Sequence, residues 1–142
     1  MSALIRRIQK KLKLQSEQRV RETGRGFFKE KIKMHGVMTP VTRKIGKEYF
    51  REIKDAGKRR IFDLCEELWE SGYIEESFIA CHWSYYIRKQ YDPGEMKLFE
   101  KWVRVYVDNW ASCDTLCNHS VGTLVEMYPE CVSHLKKWTA SK

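Results

Sequence analysis

Trp110 and Asp114 stand one helical turn apart in the stretch 108–117, DNWASCDTLC. At about 100° per residue, Cys117, Val121, Leu124, Val125 and Tyr128 fall within about 60° of them. A helix here therefore carries a carboxylate in the middle of an apolar stripe, where an unpaired charge is costly and usually avoided. Three chemistries fit such an acid. It can cap a helix or pair with a basic neighbour, as many Trp/Asp pairs at this spacing do. It can belong to a metal site, since Cys113, Cys117, His119, Cys131 and His134 lie close by in sequence. Or it can be a catalytic carboxylate beside an aromatic wall. The metal reading fits poorly, because Cys-x3-Cys within a helix is not the Cys-x2-Cys knuckle of structural zinc and both sulfurs fall on the apolar face. No metal and no other cofactor is expected.

The elements that must position these residues read as helices along nearly the whole chain. Leu4, Ile5, Ile8 and Leu12 make one stripe; Val20, Gly24, Phe27, Phe28 and Ile32 a second; Ile61, Leu64, Cys65, Leu68 and Trp69 a third; Phe99, Trp102, Val103 and Tyr106 a fourth. Each of the three prolines sits where a helix should begin. Thr39-Pro40 and Asp92-Pro93 each pair an N-cap residue with proline at the first helical position, and Glu95 adds the second half of a capping box. Pro129 restarts a helix whose buried edge is Val132, Leu135 and Trp138. The pattern predicts helices over 2–13, 16–33, 39–54, 57–71, 74–90, 93–107, 109–128 and 129–139, and no alternating strand. The breaks MHGVM, KDAG, ESG, YDPG and VDN are short, which implies antiparallel neighbours. The expected architecture is all-α: an α-solenoid of antiparallel helical hairpins. Trp69 and Trp102 occupy similar places in successive units, 33 residues apart, with weak identity between the units.

The 142 residues fit one domain, 1–142, and the apolar content of 42% is enough for a packed core. No apolar run reaches a membrane span, and MSALIRRIQKKLKLQ lacks a secretory signal's apolar centre. Five cysteines, most of them on apolar stripes, suit a reduced cytoplasmic setting better than a disulfide framework. The net charge of +8 is unevenly spread: residues 1–60 hold 19 Lys/Arg against 6 Asp/Glu, whereas 61–142 hold 8 against 13. A first half at +13 suggests an anionic polymer as partner, nucleic acid before a membrane surface. A basic face kept only for solubility is the plainer alternative. The acids Glu66, Glu67, Glu70, Glu75 and Glu76 read as a solvated outer face.

Several segments carry a family resemblance: GFFKEKIKMHGVMTP, ELWESGYIEESFIA, and NWASCD followed by VGTLVEMYPE. Over nearly its whole length the chain resembles the AlkD-type DNA alkylation repair glycosylases, which are built from HEAT-like helical repeats. The resemblance implies that Trp110 and Asp114 are the family's active-site aromatic and carboxylate, and that Phe27 takes the place of an aromatic, often Tyr, lining the lesion site. The family's usual Trp-Asp pair is Trp110-Ala111 here. Family members run further, so the resemblance implies that the C-terminal repeats, with another active-site Trp, are missing after TASK.

The activity so implied is excision of cationic alkylated purines, of the 3-methyladenine and 7-methylguanine type, from double-stranded DNA at the nucleoid. Phosphate contacts are expected from Lys29, Lys31, Arg43, Lys44, Lys47, Arg59, Arg60, Arg88 and Lys89, of which Arg88 and Lys89 match basic positions of the family. The alternatives are a HEAT-like duplex-binding module without catalysis and a protein-binding scaffold.

Overall fold

The computed structural model describes residues 2–17, 33–106 and 120–131. These residues are mainly helical, and among them the sole β-type pairing is an isolated parallel bridge between Lys33 and Tyr73. In chain order the helices are α1 (Ala3–Leu14), α2 (Thr39–Phe50), α3 (Lys58–Glu70), α4 (Ile74–Tyr86), α5 (Glu95–Val105) and α6 (Gly122–Met127). Single 3₁₀ turns follow at Arg88–Gln90 and Pro129–Cys131. The helix expected over 16–33 and the one expected to start at 109 lie mostly outside the described residues.

Two helices follow directly from their stripes. In α1, Ile5, Ile8 and Leu12 are fully buried, and the Ser2 hydroxyl caps the first turn by accepting from the Ile5 amide at 3.4 Å. In α3, Ile61, Leu64, Cys65, Leu68 and Trp69 are all buried. The glycines on either side, Gly57 (φ 92°) and Gly72 (φ 78°), take the left-handed backbone that a side chain resists, which is why the breaks KDAG and ESG stop the helices there.

The starts of α2 and α5 differ from the sequence expectation. The cap of α2 is Met38, with no side-chain bond, and Thr39 is already helical with Pro40 behind it. At α5 the regular helix begins only at Glu95. The reciprocal bonds still form one turn earlier: Asp92 Oδ1 accepts from the Gly94 amide at 2.7 Å, and the Glu95 carboxylate accepts from the Asp92 amide. Residues 51–54, expected to prolong α2, instead tighten with 55–56 into i→i−3 turns that bury Ile53.

The helices form two rows. Ser2 N donates to Glu67 Oε1 at 2.6 Å, so α1 sits against α3. An aromatic cluster joins α3 to α5: Phe62 to Phe99 (6.1 Å between centroids), Phe62 to Trp102 (5.9 Å) and Trp69 to Trp102 (6.1 Å). In the other row, α2 packs on α4 through Gly46 and Ile79, and the Trp83 indole donates to the Gly46 carbonyl at 2.9 Å. Between the rows, α3 packs along α4, where the Cys65 thiol faces the Ala80 carbonyl at 3.5 Å. Burial pushes that thiol up to about 12, so it is an inert core group.

Helix α4 is enclosed on nearly every side, which removes any single apolar stripe from its sequence. Its two acids overturn the expectation of a solvated face. Glu75 is 4% exposed and Glu76 0%. The Glu75 carboxylate accepts three backbone amides, from His35 (2.9 Å), Gly36 (2.9 Å) and Val37 (3.2 Å). Glu76 Oε2 pairs with His35 Nε2 at 2.8 Å, and its Oε1 accepts from Gln9 of α1 at 2.9 Å. The His35 ring stacks on Tyr73 at 3.8 Å. Buried carboxylates are tolerated when every lone pair has a donor, and here α4 uses them to grip α1 and the 33–37 strap together. Close by, the Glu17 amide donates to the Gly36 carbonyl at 2.7 Å. Of the other acids, Glu66 is half-buried and accepts from Lys101 (3.0 Å) and the Trp102 indole (3.1 Å), whereas Glu70 is exposed.

Candidate nucleic-acid interface

The outer face of α2 follows from its sequence. Thr42, Ile45, Gly46 and Tyr49 turn inward. The remaining 3–4 spacing then puts Pro40, Arg43, Lys44, Lys47, Glu48 and Arg51 on the opposite side, where they line one open recess of about 630 Å³. Four cations against one carboxylate leave the recess positive. Three of the four are residues singled out by sequence. Arg51 was not, although it extends the same helical face one turn beyond Lys47.

Burial pushes the Tyr86 phenol of α4 above its ordinary range, and the Arg43 charge opposes that shift. Two residues on, Arg88 lies over the Tyr85 ring (4.4 Å to the centroid) and donates to the Tyr85 carbonyl at 3.2 Å, while Lys89 is exposed in the same 3₁₀ turn. Arg59 and Arg60 are exposed at the start of α3. Their neighbour Lys58 is held by Asp92 (2.8 Å) and Glu95 (3.2 Å), which ties this end of α3 to the turn after Arg88 and Lys89.

The described cations thus divide into those already neutralised and those that are not. Arg7 pairs with Glu52, Lys58 with Asp92 and Glu95, and Lys101 with Glu66. Among the described residues, Arg43, Lys44, Lys47, Arg59, Arg60, Arg88 and Lys89 form no salt bridge and keep their full charge for an external anion. Asp114, Trp110, Phe27, Lys29 and Lys31 lie outside the described residues, as do Cys113, Cys117, His119 and His134. Within the described residues no group of three or more His, Cys, Asp or Glu could hold a metal ion, and no helix is long and apolar enough to cross a membrane.

Comparison with known families gave one match. The family model described as DNA alkylation repair enzyme matches residues 8–142, nearly the entire chain. The chain belongs to that family. The family's description implies a DNA substrate. Comparisons with curated proteins and with solved structures gave no match.

Proposed function

We propose that this chain is a DNA N-glycosylase that removes cationic N3- or N7-alkylated purines from duplex DNA. Family membership over residues 8–142 is the observation that carries this reading. The unpaired cations of α2 support it, as does the packing of helices in two rows, which we read as the start of a HEAT-like solenoid with a face for the duplex.

The chemistry asks little of the protein. Alkylation makes the purine a cation and hence a good leaving group, so no strong general acid is required. The glycosidic bond breaks toward an oxocarbenium-like sugar, which needs negative charge near C1′ and a placed water. Asp114 supplies both in this scheme, stabilising the sugar cation and orienting or deprotonating the water. Trp110 and Phe27 provide the aromatic wall, where a cationic base over a ring gains roughly 0.5–2 kcal/mol. Lys29 and Lys31, together with the cations of α2, α3 and the 88–90 turn, hold phosphates. No metal or other cofactor enters the scheme.

The decisive experiment is base release from methylated duplex. Asp114→Asn is expected to abolish 7-methylguanine release while binding undamaged duplex as the wild type does. Normal excision by Asp114→Asn removes the assignment of the carboxylate. Absence of release by the wild type, with duplex binding intact, leaves a DNA-binding module in place of an enzyme.

A further inference from the structure

Gly46 and Trp83 bring α2 and α4 side by side, and one turn further along, the seam between them carries an aromatic group that belongs to neither the core nor the recess. Phe50 touches Trp83 (6.3 Å between centroids) and meets Tyr86 edge-on at 5.1 Å and 67°. His82, one turn earlier on α4, also stacks with Tyr86, at 6.3 Å and 21°. The Tyr86 ring is therefore fixed from two directions and only half-buried. No hydrogen bond among the described residues occupies its hydroxyl, in contrast to Tyr91, whose hydroxyl is spent on the Ser84 carbonyl at 2.6 Å. Arg43, on the basic face of α2, places positive charge near enough to oppose the burial-driven rise of the Tyr86 phenol.

We propose that Tyr86 is a further contact to duplex DNA, its hydroxyl donating to a backbone phosphate whose charge is met by Arg43. This rests on the duplex-binding part of the function proposed above and adds to it a neutral, pre-positioned donor. A phenol already wedged between two rings loses little freedom on binding, unlike the long lysines around it. Such a contact sets where the backbone lies on the α2–α4 seam, while the cations supply most of the attraction. Phosphate recognition by a neutral hydroxyl also has a signature that cations lack: it releases no counterion.

The experiment is fluorescence anisotropy of the 142-residue chain on a short labelled duplex over a series of salt concentrations, with Tyr86→Phe and Arg43→Ala. Tyr86→Phe is expected to weaken binding on the order of tenfold at every salt concentration, with the slope of log affinity against log salt unchanged. Arg43→Ala is expected to weaken binding and to reduce that slope by roughly one. Thermal unfolding of Tyr86→Phe should match the wild type, because the hydroxyl has no hydrogen-bond partner among the described residues to lose. If Tyr86→Phe binds like the wild type while Arg43→Ala does not, Tyr86 only packs and the proposal is wrong, though the DNA reading stands. A lowered melting temperature for Tyr86→Phe overturns the proposal equally. If the wild type itself binds duplex without salt dependence, the DNA reading fails and this contact with it.

Discussion

Removing the Glu75 carboxylate tests whether the strap at residues 33–37 is held as described. Glu75 Oε1 accepts from the His35 amide, and Oε2 from both the Gly36 and Val37 amides, all within 3.2 Å and buried. Glu75→Ala leaves three amides without an acceptor, and each unsatisfied buried donor costs about 1–3 kcal/mol. Relaxation of the strap toward water lowers the sum, so the expected loss is about 3–5 kcal/mol, a large share of the ~5–15 kcal/mol that a domain has. Glu75→Gln keeps one carbonyl oxygen. Its best orientation serves Gly36 and Val37 and turns the amide nitrogen toward the His35 N–H, forfeiting one bond and setting two donors face to face. A loss of about 1–3 kcal/mol follows, clearly smaller than that of alanine. Urea unfolding supplies both values, provided the slopes stay equal. Amide hydrogen exchange at His35, Gly36 and Val37 shows whether the loss is local. An alanine variant within about 0.5 kcal/mol of wild type, the range of an ordinary surface change, refutes the clamp. So does unchanged protection at those three amides.

Two further outcomes can be measured on the same material. A Cβ added at Gly46 would meet Ile79 Cγ1 at 3.4 Å, an ordinary contact, so Gly46→Ala should leave the urea midpoint unchanged or raise stability by up to about 1 kcal/mol through helix propensity. Gly46→Leu has no room at the α2–α4 contact and should lose upwards of about 2 kcal/mol. The Lys58 ammonium, then the Gly94 amide, holds the Asp92 carboxyl below its ordinary range. A depressed carboxylate stabilises the fold above its unfolded-state value and stops doing so as pH falls through its folded value. The stability gap between wild type and Asp92→Asn should therefore be constant at neutral pH and shrink on acidification through the low carboxylate range. Because this pair is exposed, the gap at neutral pH should stay within about 1 kcal/mol.

What could be read from sequence follows how many sides of each element are covered. Helices α1 and α3 each bury one face, so Ile5-Ile8-Leu12 and Ile61-Leu64-Cys65-Leu68-Trp69 announced themselves by spacing. Helix α4 is covered almost all round, and its core role had no periodic signature. Glu75 and Glu76 looked solvated because paired acids usually are. Their donors come from His35, Gly36, Val37 and Gln9, some forty to seventy residues away, and nothing local encodes such a partner. Helix ends were legible from Gly57, Gly72 and the Asp92–Glu95 pair, but Thr39 was misread as a cap one residue late. On the basic face of α2, Arg43, Lys44 and Lys47 could be named in advance as cations on one helix. Tyr86 could not, since its setting exists only once Gly46 lets two helices meet. Asp114, Trp110 and Phe27, the carboxylate and aromatics of the proposed chemistry, lie outside the described residues: spacing singled out Asp114 and Trp110, and the family resemblance gave all three their roles.

The short link from the Glu17 amide to the Gly36 carbonyl has a consequence for how this protein can vary. Glu17 and Gly36, nineteen positions apart in sequence, stand a single hydrogen bond apart, with the Gly36 side anchored by the Glu75 clamp. Residues 18–32, which include Phe27, Lys29 and Lys31, join these two points and lie outside the described residues. Closing such a gap with more or fewer residues changes the chain entropy only logarithmically with length. The frame on either side of this link is therefore closed by its own hydrogen bonds, at Glu17–Gly36 and at the Glu75 clamp.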